Sequence, residues 1–89
     1  MKGTSRLDHR LGSRRSDAPA RSPLGRFVRA ERTKRGWTFA QCAAHVGRSA
    51  ATVWEIECGK VHPRPATLKR LARAFGVTFA HIIGVTFGI

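Results

Sequence analysis

Acidic residues are scarce in this sequence: 5 Asp and Glu stand against 17 Lys and Arg in 89 residues, for a formal net charge of +12. So large an excess argues against a cationic partner and for a polyanionic one, nucleic acid first. Cysteine is limited to Cys42 and Cys58, whose separation matches no zinc spacing, so both are expected to be reduced. The longest apolar stretch lies in the last residues and is too short to cross a membrane, and the polar N-terminus carries no secretory signal. These two absences predict a cytoplasmic protein. His45, His62 and His81 are scattered singly, and no acid, base and nucleophile cluster, so neither a metal or other cofactor nor catalysis is expected. The length suits one small domain with a modest core.

What is present is concentrated between Thr38 and Gly59. Thr38 followed by Gln41 has the spacing of a capping box, in which two orphan backbone donors at a helix start are satisfied reciprocally. Cys42, Ala43 and Val46 then share one helical face, and Gly47 suits the left-handed residue that ends a helix. Ser49 is a good N-cap for a second helix with Val53 and Ile56 as its buried stripe and Gly59 at its far end. Two short helices joined by a tight turn form a helix-turn-helix.

Around this unit the chain divides into three. Residues 1–23 are rich in Arg, Ser, Gly and Pro with few large aliphatics, which predicts a disordered basic arm. Such an arm can follow phosphates along DNA, remain a solvated leader, or act as a transit peptide, a reading that Asp8 and Asp17 oppose. Residues 24–83 form the folded domain. Its first helix runs from Leu24 to Arg35, with Leu24 and Val28 inward, Arg26, Arg29, Lys34 and Arg35 outward, and Gly36 as the stop. After a loop from Val61, Pro65 opens a helix whose Leu68, Leu71, Ala72 and Phe75 make a regular core stripe, with Lys69, Arg70 and Arg73 outside. Thr78 starts a last helix through Ile83, in which Phe79 and Ile82 close the core. Residues 84–89 are an apolar tail in which Val85, Phe87 and Ile89 alternate, as in a strand. The tail needs cover, either within its own domain against Phe27 or by pairing with a second copy as a dimerisation strand.

The pattern resembles the phage repressor and Cro-like helix-turn-helix domains, the xenobiotic response element family. The resemblance rests on Gly36, Ala43, Gly47, Ser49, Val53, Ile56, the Glu57-x-Gly59-Lys60 ending, Pro63, Leu68, Leu71, Ala72 and Gly76-Val77. It implies an all-α, five-helix repressor-like fold that binds double-stranded DNA. It also implies that Arg32 of the first helix pairs with Glu57, and that Cys42 and Trp37 occupy positions usually held by core leucines. Ser49, Ala50, Ala51 and Glu55 take the places that face base edges, while Arg48, Thr52, Lys60 and Arg64 take those that grip phosphates. None of the four base-facing residues is Arg, Gln or Asn, the side chains whose bidentate pairs supply about 1–3 kcal/mol of discrimination each. The phosphate set is better provided.

Two functions follow. The first is a transcriptional regulator that occupies an operator through its recognition helix as a homodimer, working in the nucleoid. The alternative is a protein-interaction module on the same fold, an antitoxin or an antagonist of another regulator. Its contact surface would be Phe39, Trp54, Val85, Phe87 and Ile89, with Trp54 either exposed or packed on a neighbouring helix. Net charge and the Arg48, Lys60 and Arg64 set favour DNA.

Overall fold

A computed structural model of the chain describes residues 20–89. Most of the basic arm expected over residues 1–23 lies outside them. Each helix starts where a short polar side chain or a proline makes a start inexpensive. Ser22 accepts from the Gly25 N–H (2.9 Å) at the head of α1, Pro23–Lys34. Thr38 and Gln41 form the reciprocal box (3.1 and 2.8 Å) at the head of α2, Phe39–Val46. Ser49 caps α3, Ala50–Glu57, by accepting from the Thr52 N–H (3.1 Å). Pro65 opens α4, Pro65–Phe75, without a side-chain cap, and Thr78 caps α5, Phe79–Phe87, through the His81 N–H (3.0 Å). No strand occurs among the described residues.

The five helices of the described residues feed one core. Leu24 and Val28 come from α1, Cys42, Ala43 and Val46 from α2, Val53 and Ile56 from α3, Leu68, Leu71, Ala72 and Phe75 from α4, and Ile82 from α5. Phe27 joins at the edge, its ring T-shaped against Phe75 at 5.9 Å. Trp37 is half-buried where a core position was expected. Its indole stacks flat on His45 (4.0 Å, 9°) and lies beside Phe75 (6.2 Å), so the ring forms a lid at the domain's edge. Phe79 is likewise corrected. As the first residue of α5 it sits at the rim, 37% exposed with the Lys69 ammonium 5.5 Å over its ring, and Ile82 alone is buried in that helix.

The end of the chain differs from the extended tail that alternation predicts. α5 does not stop at Ile83 but continues through Phe87. Thr86 donates to the Ile82 carbonyl (2.8 Å), and the N–H groups of Gly88 and Ile89 both close on the Gly84 carbonyl (2.8 and 3.0 Å). Gly84 therefore serves as the point onto which the last residue folds back; a Cβ there would lie 3.1 Å from the Ile89 carbonyl oxygen. An apolar helix and an apolar strand of this length cannot be told apart by alternation alone.

A second close approach sets the angle between α1 and α3. Gly25 is buried, and a Cβ built on it would collide with the Glu57 carbonyl oxygen and come within 2.9 Å of that of Ile56. The missing side chain lets α1 lie directly on the C-terminal backbone of α3.

Candidate nucleic-acid interface

Helix α3 is held by a buried ion cluster. Glu57, at the C-terminal end of α3, has no exposed surface. Its carboxylate accepts from Arg32 through Nε (2.6 Å) and Nη2 (3.2 Å) and from Arg29 through Nε (3.0 Å). Arg32 also donates through Nη1 to the Trp37 carbonyl (3.0 Å), and its guanidinium lies 4.1 Å over the Phe39 ring. One buried carboxylate thereby ties α3 to α1 and to the start of α2. Two guanidiniums supply three charge-assisted hydrogen bonds to it, which is what makes a charge in this position tolerable.

Arg29 was expected on the outer face and is instead half-buried in this cluster. Its spacing carried the signal: Gly25, Arg29 and Arg32 follow i, i+4 and i+7, the stripe that meets α3. Arg35, also assigned outward, is half-buried too. It donates to Glu31 Oε1 (2.6 Å) and, through Nη2, to the Phe75 carbonyl at the end of α4 (3.1 Å). The Arg35 hydrogen bond holds the Glu31 carboxyl below the usual carboxylate range. Cys42, fully buried beside the cluster, has its thiol pushed up to about 11, chiefly by burial and then by the charge of Glu57. Neither it nor the buried Cys58 is disulfide-bonded.

The residues assigned to DNA lie on α3 and in the segments that flank it. Ser49 and Ala51 are exposed, and Ala50, Thr52 and Glu55 are half-buried. The Ser49 and Thr52 hydroxyls are hydrogen-bonded to one another (2.9 Å). Glu55 enters none of the side-chain hydrogen bonds or ion pairs found among the described residues. The left-handed Gly47 (φ +81°) turns the chain from α2 into α3, donating to the Ala43 carbonyl. Arg48, next to it, is half-buried, with Nε donating to Thr67 Oγ1 of α4 (3.2 Å) and Nη1 to the Gly47 carbonyl (3.0 Å). Lys60 and Arg64 are exposed, Arg64 at the N-cap of α4, and the Lys60 ammonium lies 5.2 Å from the Trp54 ring.

Of the residues assigned to a protein partner, Phe39 and Trp54 are half-buried, Phe39 beneath Arg32, and Val85 is half-buried on α5. Phe87 and Ile89 project freely, 66% and 89% exposed. Among the described residues no group of three or more His, Cys, Asp and Glu side chains is placed to hold a metal ion, and no helix is long and apolar enough to cross a membrane.

This arrangement has counterparts in other proteins. Residues 23–81 match the family model described as a helix-turn-helix domain, which spans α1 to the start of α5. The chain belongs to the Cro-like helix-turn-helix family. Within this family it is similar to the uncharacterized HTH-type transcriptional regulator RghRB of Bacillus subtilis (strain 168), with 40% identity over 63 residues. That alignment covers 70% of this chain and 45% of RghRB, so the chain spans less than half the length of this relative. No solved structure matches the chain significantly.

Proposed function

We propose that this helix-turn-helix chain is a DNA-binding transcriptional regulator that occupies an operator through α3, as a homodimer, in the cytoplasm at the nucleoid. The observation that carries this reading is the distribution of charge around the motif. Of the three acidic side chains in residues 20–89, Glu31 and Glu57 are consumed in ion pairs, which leaves Glu55 as the one outside them, while Arg48, Lys60 and Arg64 enter no ion pair among the described residues. RghRB, a transcriptional regulator by name, supports the same assignment. Ser49, Ala50, Ala51 and Glu55 meet base edges: alanine methyls pack on thymine methyls and Glu55 accepts from a cytosine amine. Arg48, Thr52, Lys60 and Arg64 hold phosphates.

Support for the dimer comes from α5 and its end. Residues 74–89 contain no Lys, Arg, Asp or Glu, so in a chain of net charge +12 this is the face on which a second copy meets least repulsion. Phe87 and Ile89 supply its apolar surface. The alternative of a protein-interaction module draws on Phe39, Trp54 and the tail residues Val85, Phe87 and Ile89; the half-buried Phe39 and Trp54 offer it little free surface, and the exposed Phe87 and Ile89 serve either reading.

Selection of duplexes from a random pool tests the proposal. The expected product is a two-fold-symmetric site with half-sites about one DNA turn apart, and Glu55→Ala is expected to relax the preference for cytosine within each half-site. A pool recovered without enrichment contradicts operator binding, and an enriched single half-site contradicts the dimer.

A further inference from the structure

The α2–α3 turn is flanked by a cation that the DNA-facing set above omits. Arg70 is exposed on α4, one helical turn beyond Thr67, the residue whose hydroxyl receives Arg48 Nε. Its guanidinium reaches back over the turn. A Cβ added to Gly47 would collide with Arg70 Nη1 and lie 3.5 Å from Arg70 Cζ, so the bare glycine is what gives the guanidinium room. The Arg48 guanidinium reaches the same glycine through its bond to the Gly47 carbonyl (3.0 Å). Two full positive charges thus converge on one residue, immediately before the capped N-terminus of α3, whose aligned peptide dipoles add further positive potential.

No carboxylate compensates them. Neither arginine enters any ion pair among the described residues, and Glu31 and Glu57 are engaged with Lys34, Arg35, Arg29 and Arg32. Like charges held together without an acid repel one another, and the arrangement is relieved when an anion sits between them. Planar guanidiniums suit the oxygens of a phosphate group.

We propose that Arg70, together with Arg48, forms a clamp for a DNA backbone phosphate at the turn, so that α4 takes part in binding beyond its N-terminal Arg64. This inference rests on the DNA-binding reading and adds one residue and one phosphate to it. Arg70 acts as a positioning residue: it fixes the approach of α3 to the groove and carries no sequence preference.

The test is the salt dependence of duplex DNA binding for the full chain and for Arg70→Ala, Arg70→Lys and Arg73→Ala. Arg73 lies one turn further along α4, is exposed, and controls for loss of one charge at a distance. Loss of one phosphate contact is expected to flatten the slope of log K against log salt by about 0.9 in Arg70→Ala. The slope is expected to be kept in Arg70→Lys and in Arg73→Ala, with thermal midpoints unchanged throughout. An unaltered slope in Arg70→Ala, or an equal flattening in Arg73→Ala, overturns the clamp while leaving DNA binding in place. Failure of the unsubstituted chain to bind duplex DNA at low salt overturns both.

Discussion

Glu57 and the two arginines around it illustrate why a single side chain in this domain outweighs most of its contacts. The carboxylate is fully buried, so its replacement by alanine strands Arg29 and Arg32 in a poorly solvated site. Glu57→Ala is expected to lower the unfolding free energy by about 3–5 kcal/mol, a large share of the stability of a domain this small, and urea unfolding midpoints measure it. A loss below 1 kcal/mol would show that the cluster is solvated. Cys42 gives a second residue-scale expectation. With its thiol raised to about 11 against an ordinary value of 9.0, the folded state retains a proton that the unfolded chain loses first. Its contribution to stability is therefore complete below pH 9 and is lost as the pH rises through about 11. Alkylation at pH 8 should modify Cys42 only after denaturant is added; rapid labelling of the native protein contradicts its burial.

The packing of α1 on α3 depends on an absent side chain. Gly25→Ala would drive a methyl into the backbone of Glu57 and Ile56, which cannot move aside as a flexible side chain can. A cost of about 1–3 kcal/mol is expected, together with reduced DNA affinity because α3 is displaced; a variant as stable as the parent would mean that α1 slides without consequence. How far the elements are legible in sequence follows from the same comparison. The caps at Thr38, Ser49 and Thr78 and the turn at Gly47 are local chemistry, and they stand in the structure at those residues. The core stripe of α4 is equally plain, because Leu68, Leu71, Ala72 and Phe75 recur at helical spacing. The i, i+4, i+7 spacing of Gly25, Arg29 and Arg32 marks one stripe of α1, but which helix that stripe meets, and where Phe79 sits, were not legible in that way. Their surroundings are set by another helix crossing at an angle that no local pattern encodes. The continuation of α5 to Phe87 was hidden for a different reason: Val85, Phe87 and Ile89 alternate as a strand would, while the left-handed Gly88 that closes the helix stands at the end of that same run.

At the scale of the whole molecule, charge is partitioned. The helix-turn-helix and α4 carry unneutralised arginines and lysines, whereas the stretch from Ala74 to Ile89 carries no charged side chain. On the proposed reading, a polyanion would meet the basic stretch and a second copy of the chain the uncharged one. The residues proposed to face bases were the least legible part of the site, since Ala50, Ala51 and the capping Ser49 fix neither a base nor a strand by their own chemistry; the proposed roles follow from position in the motif. If affinity came from charge alone, any duplex would serve as well as another, and salt would remove binding to all of them together. Operator recognition requires more: contacts that persist when counterion release contributes less. The decisive measurement is a titration of the purified protein against duplex DNA from its own upstream region and against a scrambled duplex of equal length, at low and at near-physiological salt. The account predicts that preference for the upstream duplex persists at the higher salt. Equal affinity for both duplexes, lost together as salt is raised, would contradict it.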